Sequence, residues 1–212
     1  MTPRRTLTVA CLGALGLALS TVPARAAPGD AVAAGDAGAA TVGQTVVTAI
    51  AACTTESTPQ AEGPEVAVPG VVSYSNGRSQ CAIDDAREIA TVTVTGGQFR
   101  FEALRDYGGP TIRLSGYTAN CETTQTGSKS SFRFSGLSGV TVPSDIPTNY
   151  VVTVPGGPDG KPMATVTFNE QHVPDPPDGS MLEHLMHIRM FPEGGPATGD
   201  AYVGTVHCAP VS

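Results

Sequence analysis

The chain has 212 residues, enough for one ordinary domain or two very small ones. Its 25 Gly and 18 Pro argue against long helices but stay below the level of a disordered chain. Nineteen acidic against twelve basic residues speak against a basic surface for nucleic acid, and the lack of Trp removes the best stacking residue for sugars.

The N-terminus has the layout of a secretory signal. Arg4 and Arg5 precede an apolar run from Leu7 to Ser20, and Ala24-Arg25-Ala26 supplies the small residues that a signal peptidase reads. Cleavage is expected after Ala26. The run is shorter than the roughly 20 residues that span a bilayer, so no membrane span is expected in the mature chain. Arg4-Arg5 also permits a twin-arginine signal, and Cys11 a lipidated cysteine. Cleavage would remove Arg4, Arg5 and Arg25 and no acid, taking the net charge from −7 to −10.

Four cysteines then remain: Cys53, Cys81, Cys121 and Cys208. An even number in an exported chain indicates two disulfides. Three pairings are possible, and Cys53–Cys81 with Cys121–Cys208 is favoured. No C-x-x-C pair is present for a thiolate zinc site.

Residues 27–40 are Ala, Gly and Asp of low complexity and are expected to form a flexible leader. A single domain is expected over 41–212. Strands are expected at Gln44–Cys53 and at Val66–Ser75, the latter interrupted by Pro69-Gly70. Glu88–Thr95 and Gln98–Arg105 alternate with period two around Gly96-Gly97 and read as a hairpin. Thr111–Cys121, Lys129–Phe134 and Val140–Val142 follow as further strands. Asn149–Val154 and Pro162–Phe168 flank Asp159-Gly160, a second hairpin. Ser180–Phe191 is helical by propensity but alternates like a strand, and its neighbours favour strand. Asp200–Cys208 closes the chain. The sum is an all-β antiparallel β-sandwich of nine to eleven short strands.

Five strings resemble the choice-of-anchor P family of exported, mainly actinobacterial proteins. They are Val166-Thr-Phe-Asn-Glu-Gln171, Leu185-Met-His-Ile188, Ala201-Tyr-Val-Gly-Thr-Val-His-Cys208, Leu114-Ser-Gly-Tyr-Thr-Ala-Asn-Cys121 and Phe134-Ser-Gly-Leu137. The resemblance covers about residues 41–209. It implies an exported β-rich domain of unknown activity and carries over no catalytic residue. Pro210-Val-Ser212 shows no sorting motif or apolar tail, so release rather than covalent anchoring is expected.

Candidate chemistry gathers late in the chain. Glu170 offers a general acid or base, with His184, His207, Asp175 or Glu183 as a second group. His187 and His207 are candidate metal ligands. On a regular strand, His184 and His187 are three apart and face opposite sides, so the two are not expected to share an ion. Asp175, Asp178 and Asp200 are weak calcium candidates without a calcium-loop pattern. Tyr74, Tyr107, Tyr117, Tyr150 and Tyr202 are scattered. No nucleophile elbow or phosphate-binding loop is present, and no cofactor is implied. The expectation is a non-enzymatic secreted domain that binds an extracellular or cell-envelope partner. A hydrolase using Glu170 with a nearby carboxylate or histidine, and a weak divalent-metal binder, are the alternatives.

Overall fold

The computed structural model describes residues 33–124 and 127–210. The signal segment, the Ala26 cleavage point and residues 27–32 lie outside the described residues. The fold is all-β, with every strand pair antiparallel. No helix among the described residues is long and apolar enough to cross a membrane.

The strands are β1 (Ala33–Val42), β2 (Thr45–Ile50), β3 (Cys53–Thr54), β4 (Gln60–Gly63), β5 (Val66–Val68), β6 (Val72–Tyr74), β7 (Gly77–Asp84) and β8 (Ile89–Gly96). They continue as β9 (Phe99–Phe101), β10 (Ile112–Leu114), β11 (Gly116–Thr124), β12 (Gly127–Ser135), β13 (Tyr150–Val154), β14 (Ala164–His172), β15 (Met181–Met190) and β16 (Gly199–Cys208). These sixteen exceed the expected nine to eleven because the runs 44–53, 66–75 and 111–121 are each cut in two and because β1, β4 and β7 form where no strand was expected. Val140–Val142 forms no strand.

One layer is a seven-stranded sheet in the order β13-β14-β15-β16-β1-β2, with β3 also on β1. The other consists of a five-stranded sheet (β12-β11-β8-β7-β4) and a four-stranded sheet (β10-β9-β6-β5). These two are continuous in register. Tyr74 pairs with Phe99 and Gly77 with Gly96, while Phe101 pairs with Ile112 and Gly96 with Tyr117. Three long strands therefore bend together from one sheet into the next. Gly96-Gly97 lies on that bend and is not the tip of a hairpin. The small residues are needed there: a Cβ on Gly96 would lie 2.0 Å from the Tyr117 ring, and one on Gly97 2.2 Å from Ser75 Oγ.

The leader expectation fails for residues 33–40, which form most of β1, a strand inside the large sheet. Its lack of bulk is complementary to the facing layer. A Cβ on Gly35 would lie 2.6 Å from Val92 Cγ1, and one on Gly38 2.2 Å from Tyr74 Cε1. The hydroxyls of Tyr117 and Tyr74 donate to the carbonyls of Ala37 (2.7 Å) and Ala39 (2.9 Å). The opposite sheet supplies the apolar volume that β1 lacks.

Other expectations hold. Ser180–Phe191 is strand β15, and β13 with β14 forms the expected hairpin. Both favoured disulfides join the two layers, Cys53–Cys81 from β3 to β7 and Cys121–Cys208 from β16 to β11, with Cα separations of 5.8 and 6.2 Å. Val92, Val94 and Ala119 of one layer and Val166, Phe168, Met186, Ile188 and Val203 of the other are fully buried in the core.

Candidate functional site

The seven-stranded sheet turns one face to the core and the other outward. The outward face carries most of the chain's late ionisable residues because the alternation is reset along one line. Ladder pairs run Phe168–Met186 and then Glu170–His184, and Met186–Val203 and then His184–Thr205. On β1 they run Gly38–Val203 and then Asp36–Thr205. Asn169, Leu185, Gly204 and Ala37 thus form an unpaired row across four strands. Asn169 (φ 53°) and Gly204 (φ 62°) adopt the left-handed conformation there, which glycine and asparagine tolerate best. The register is kept while the outward set shifts by one residue. In β15, Leu185 and Met186 are both fully buried, and His184 and His187 flank them on the same outward side.

The expectation that His184 and His187 face opposite sides is therefore corrected. Their rings lie 6.2 Å apart, and both pack on Tyr202, at 4.7 and 4.3 Å. His187 stacks on Tyr202 at an interplanar angle of 20°.

His187 is held at both nitrogens. Nδ1 lies 2.9 and 3.1 Å from the two Glu170 oxygens, and Nε2 lies 2.8 Å from Asp200 Oδ1. Arg189 Nε donates to the same Asp200 oxygen at 3.1 Å. Two carboxylate partners fit a doubly protonated ring. Burial disfavours its charge, but the hydrogen bonds to Asp200 and Glu170 outweigh that and raise its pKa above 6.5. Burial pushes Glu170 up, and His187 brings it to a net position below 4.5. The His187 hydrogen bond, with Arg189, holds Asp200 below 3.8 despite partial burial.

A second group adjoins the first. Glu170 and His172 are two apart on β14, and His184 is directly opposite Glu170 on β15. Ligand-capable atoms of Glu170, His172 and His184 lie within 4.8 Å of one another. His184 Nδ1 is 3.1 Å from Thr205 Oγ1.

Other candidates fall outside this group. His187 has both nitrogens engaged, so it supports the cluster rather than offering a metal ligand. His207 lies further along β16, opposite Leu182, and burial lowers its pKa. Glu183 points to the opposite, inner face and cannot pair with Glu170; it is fully buried beside Ser130 and Gln171. Asp178 accepts from Ser180 N and Oγ (2.8 and 2.6 Å) in a local turn, and Asp200 is committed to His187 and Arg189. The calcium trio is not assembled. Tyr74 and Tyr117 are structural, and Tyr202 alone among the tyrosines packs against this cluster's histidines.

His172, Arg189 and Thr205 escaped sequence reasoning. The spacing of Glu170 and His172 was a usable signal, since residues i and i+2 of a strand share a face. Two open pockets among the described residues lie elsewhere: one of about 310 Å³ along Thr91, Asn120 and Lys129, and one of about 700 Å³ between Phe132, Phe134, Ile146 and Gln171. Compared with family models, curated proteins and solved structures, the chain matches none.

Proposed function

We propose that the protein is an extracellular, non-enzymatic binding domain whose contact surface is the outward face around Glu170, His184, His187, Arg189 and Tyr202. The observation that carries this is the fixed ionic network Glu170–His187–Asp200–Arg189 on a sheet face, outside both open pockets. A hydrolase would need a concave site to enclose its substrate and exclude water. Preorganised charges and an aromatic ring on a sheet suit recognition of a partner. The two cross-layer disulfides fit an oxidising compartment. The acid excess disfavours acidic polymers, so a protein or neutral envelope component is the better partner. Membership of the choice-of-anchor P family is part of the same proposal, carried by the strings around Phe168, Leu185 and Tyr202.

The test is binding of the labelled protein to isolated cell envelope and to a glycan and envelope-protein array. Arg189→Glu and Tyr202→Ala should each weaken binding about tenfold or more, equivalent to about 1.4 kcal/mol. Lys129→Ala, on the other layer, should leave it unchanged. Equal binding by all variants overturns this surface. Turnover of an ester, peptide or glycoside that disappears in Glu170→Gln overturns the non-enzymatic assignment.

A further inference from the structure

Resting on the outward face as the working surface, we infer that its first ligand is a divalent transition-metal ion held by Glu170, His172 and His184. The ladder brings these three residues together on two adjacent strands. Their ligand atoms already lie within 4.8 Å of one another. Metal–ligand bonds of about 2.0–2.2 Å place tetrahedral ligand atoms roughly 3.4 Å apart, so closure needs a shift of about an ångström. His172 can supply it, because its side chain is 56% exposed.

The donor set selects the ion. Two imidazoles and one carboxylate suit zinc, cobalt, nickel or copper, whereas calcium and magnesium prefer oxygen ligands alone. Three protein ligands also leave coordination positions on the solvent side, where a partner's carboxylate or imidazole can bind.

The surroundings have the form of a supporting shell. Metal-ligating side chains are characteristically oriented by hydrogen bonds behind them. Here Thr205 Oγ1 holds His184 Nδ1 at 3.1 Å, which fixes the orientation of the ring. His187 holds the Glu170 carboxylate and is itself fixed by Asp200 and Arg189. His187 and Arg189 offset the charges of Glu170 and Asp200. The ion thus enters a site with little net field to draw it in, and micromolar rather than nanomolar affinity is expected.

The experiment is calorimetric titration of the purified, disulfide-intact protein with Zn²⁺ in chelator-free buffer, with Co²⁺ absorption as a second readout. One ion per chain is expected, with d–d bands for cobalt. His172→Ala should weaken binding by a factor of ten to a hundred, with the metal-free melting temperature unchanged because that side chain is half exposed. Glu170→Gln should weaken zinc binding by a similar factor, and His207→Ala should leave zinc binding unchanged. Absence of heat and of a cobalt spectrum at millimolar ion overturns the inference, as does binding that survives both His172→Ala and Glu170→Gln. The envelope-binding assay separates this from the broader reading. Partner binding that is lost in Arg189→Glu but indifferent to zinc and chelator retains the surface and removes the ion. Zinc binding that maps to His172 beside partner binding indifferent to Arg189 and Tyr202 retains the ion and removes the surface.

Discussion

The two faces of the seven-stranded sheet use the same strands and treat ionisable groups in opposite ways. On the outward face, Glu170, His187, Asp200 and Arg189 satisfy one another, and His184 is held by Thr205. On the inward face, Val166, Phe168, Met186, Ile188, Ala201 and Val203 are fully buried. Glu183 is the one carboxylate among the described residues that is buried with them, and its oxygens lack hydrogen-bond partners of good geometry. Burial alone therefore does not decide the fate of a charge. His187 is 4% exposed and Glu183 0%, yet the first is pushed toward its charged form by its neighbours and the second toward its neutral form by burial.

The largest effect that sharpens this contrast comes from adjacent residues of β14. Phe168 is fully buried and packs against Phe134, while Thr167 faces outward. Phe168→Ala should cost about 3–5 kcal/mol through lost burial and a cavity, and Thr167→Ala at most about 0.5 kcal/mol. Urea unfolding followed by near-ultraviolet dichroism measures both. Equal losses would mean that the two faces are not energetically distinct.

Much of this architecture is legible in the sequence. Alternation identifies β8, β9, β12 and β15, and Asp159-Gly160 marks the β13–β14 hairpin. What escapes has one physical source: partner layers decide it. β1 reads as a leader because its own residues bury little, whereas its small size makes room for Val92 and Tyr74 from across the interface. Gly96-Gly97 reads as a turn because a bent strand and a hairpin both call for small residues. The candidate site escapes for the same reason. Strict alternation separates His184 from His187, and only the aligned row of Asn169, Leu185 and Gly204 brings them to one side. Gly204 looks like a strand weakness until the left-handed neighbour on β14 is seen in line with it.

The next effect tests the inward face. Burial raises the Glu183 carboxyl above 4.5, although Ser130 and Gln171 partly oppose this. A carboxyl raised in the folded state costs nothing while both states are protonated. The cost appears as pH climbs past 4.5, because the unfolded chain ionises first and the folded one resists. Glu183→Gln removes the charge with little change in volume. It should stabilise the protein by about 1–2 kcal/mol at about pH 8, with the gain shrinking to nothing near pH 4. Thermal melts of both proteins across that range check it. Destabilisation at pH 8 would show that the ionised carboxylate is a paired group, and the contrast between the faces would fail.

The smallest effect concerns the outward network, and its pH dependence has two edges. Asp200 and Glu170 are held below 3.8 and 4.5, so their contribution is present above those values and is lost as pH falls through the lowered ones. His187 is held above 6.5, so its contribution is complete below that value and is lost as pH rises through the higher one. The network is therefore worth most between about 4.5 and 6.5. Asp200→Asn weakens the charged acceptor on Nε2 and should bring the His187 titration, followed by its ring-proton NMR shift, downward. Asp200 is about one-third exposed, and solvent screens part of its charge. The stability loss at about pH 5.5 should accordingly be about 1 kcal/mol or less, falling to a few tenths near pH 9. A loss that instead grows with pH would mean that His187 is neutral between two carboxylates. One of those carboxylates would then have to hold a proton of its own, and the outward face would resemble the inward one.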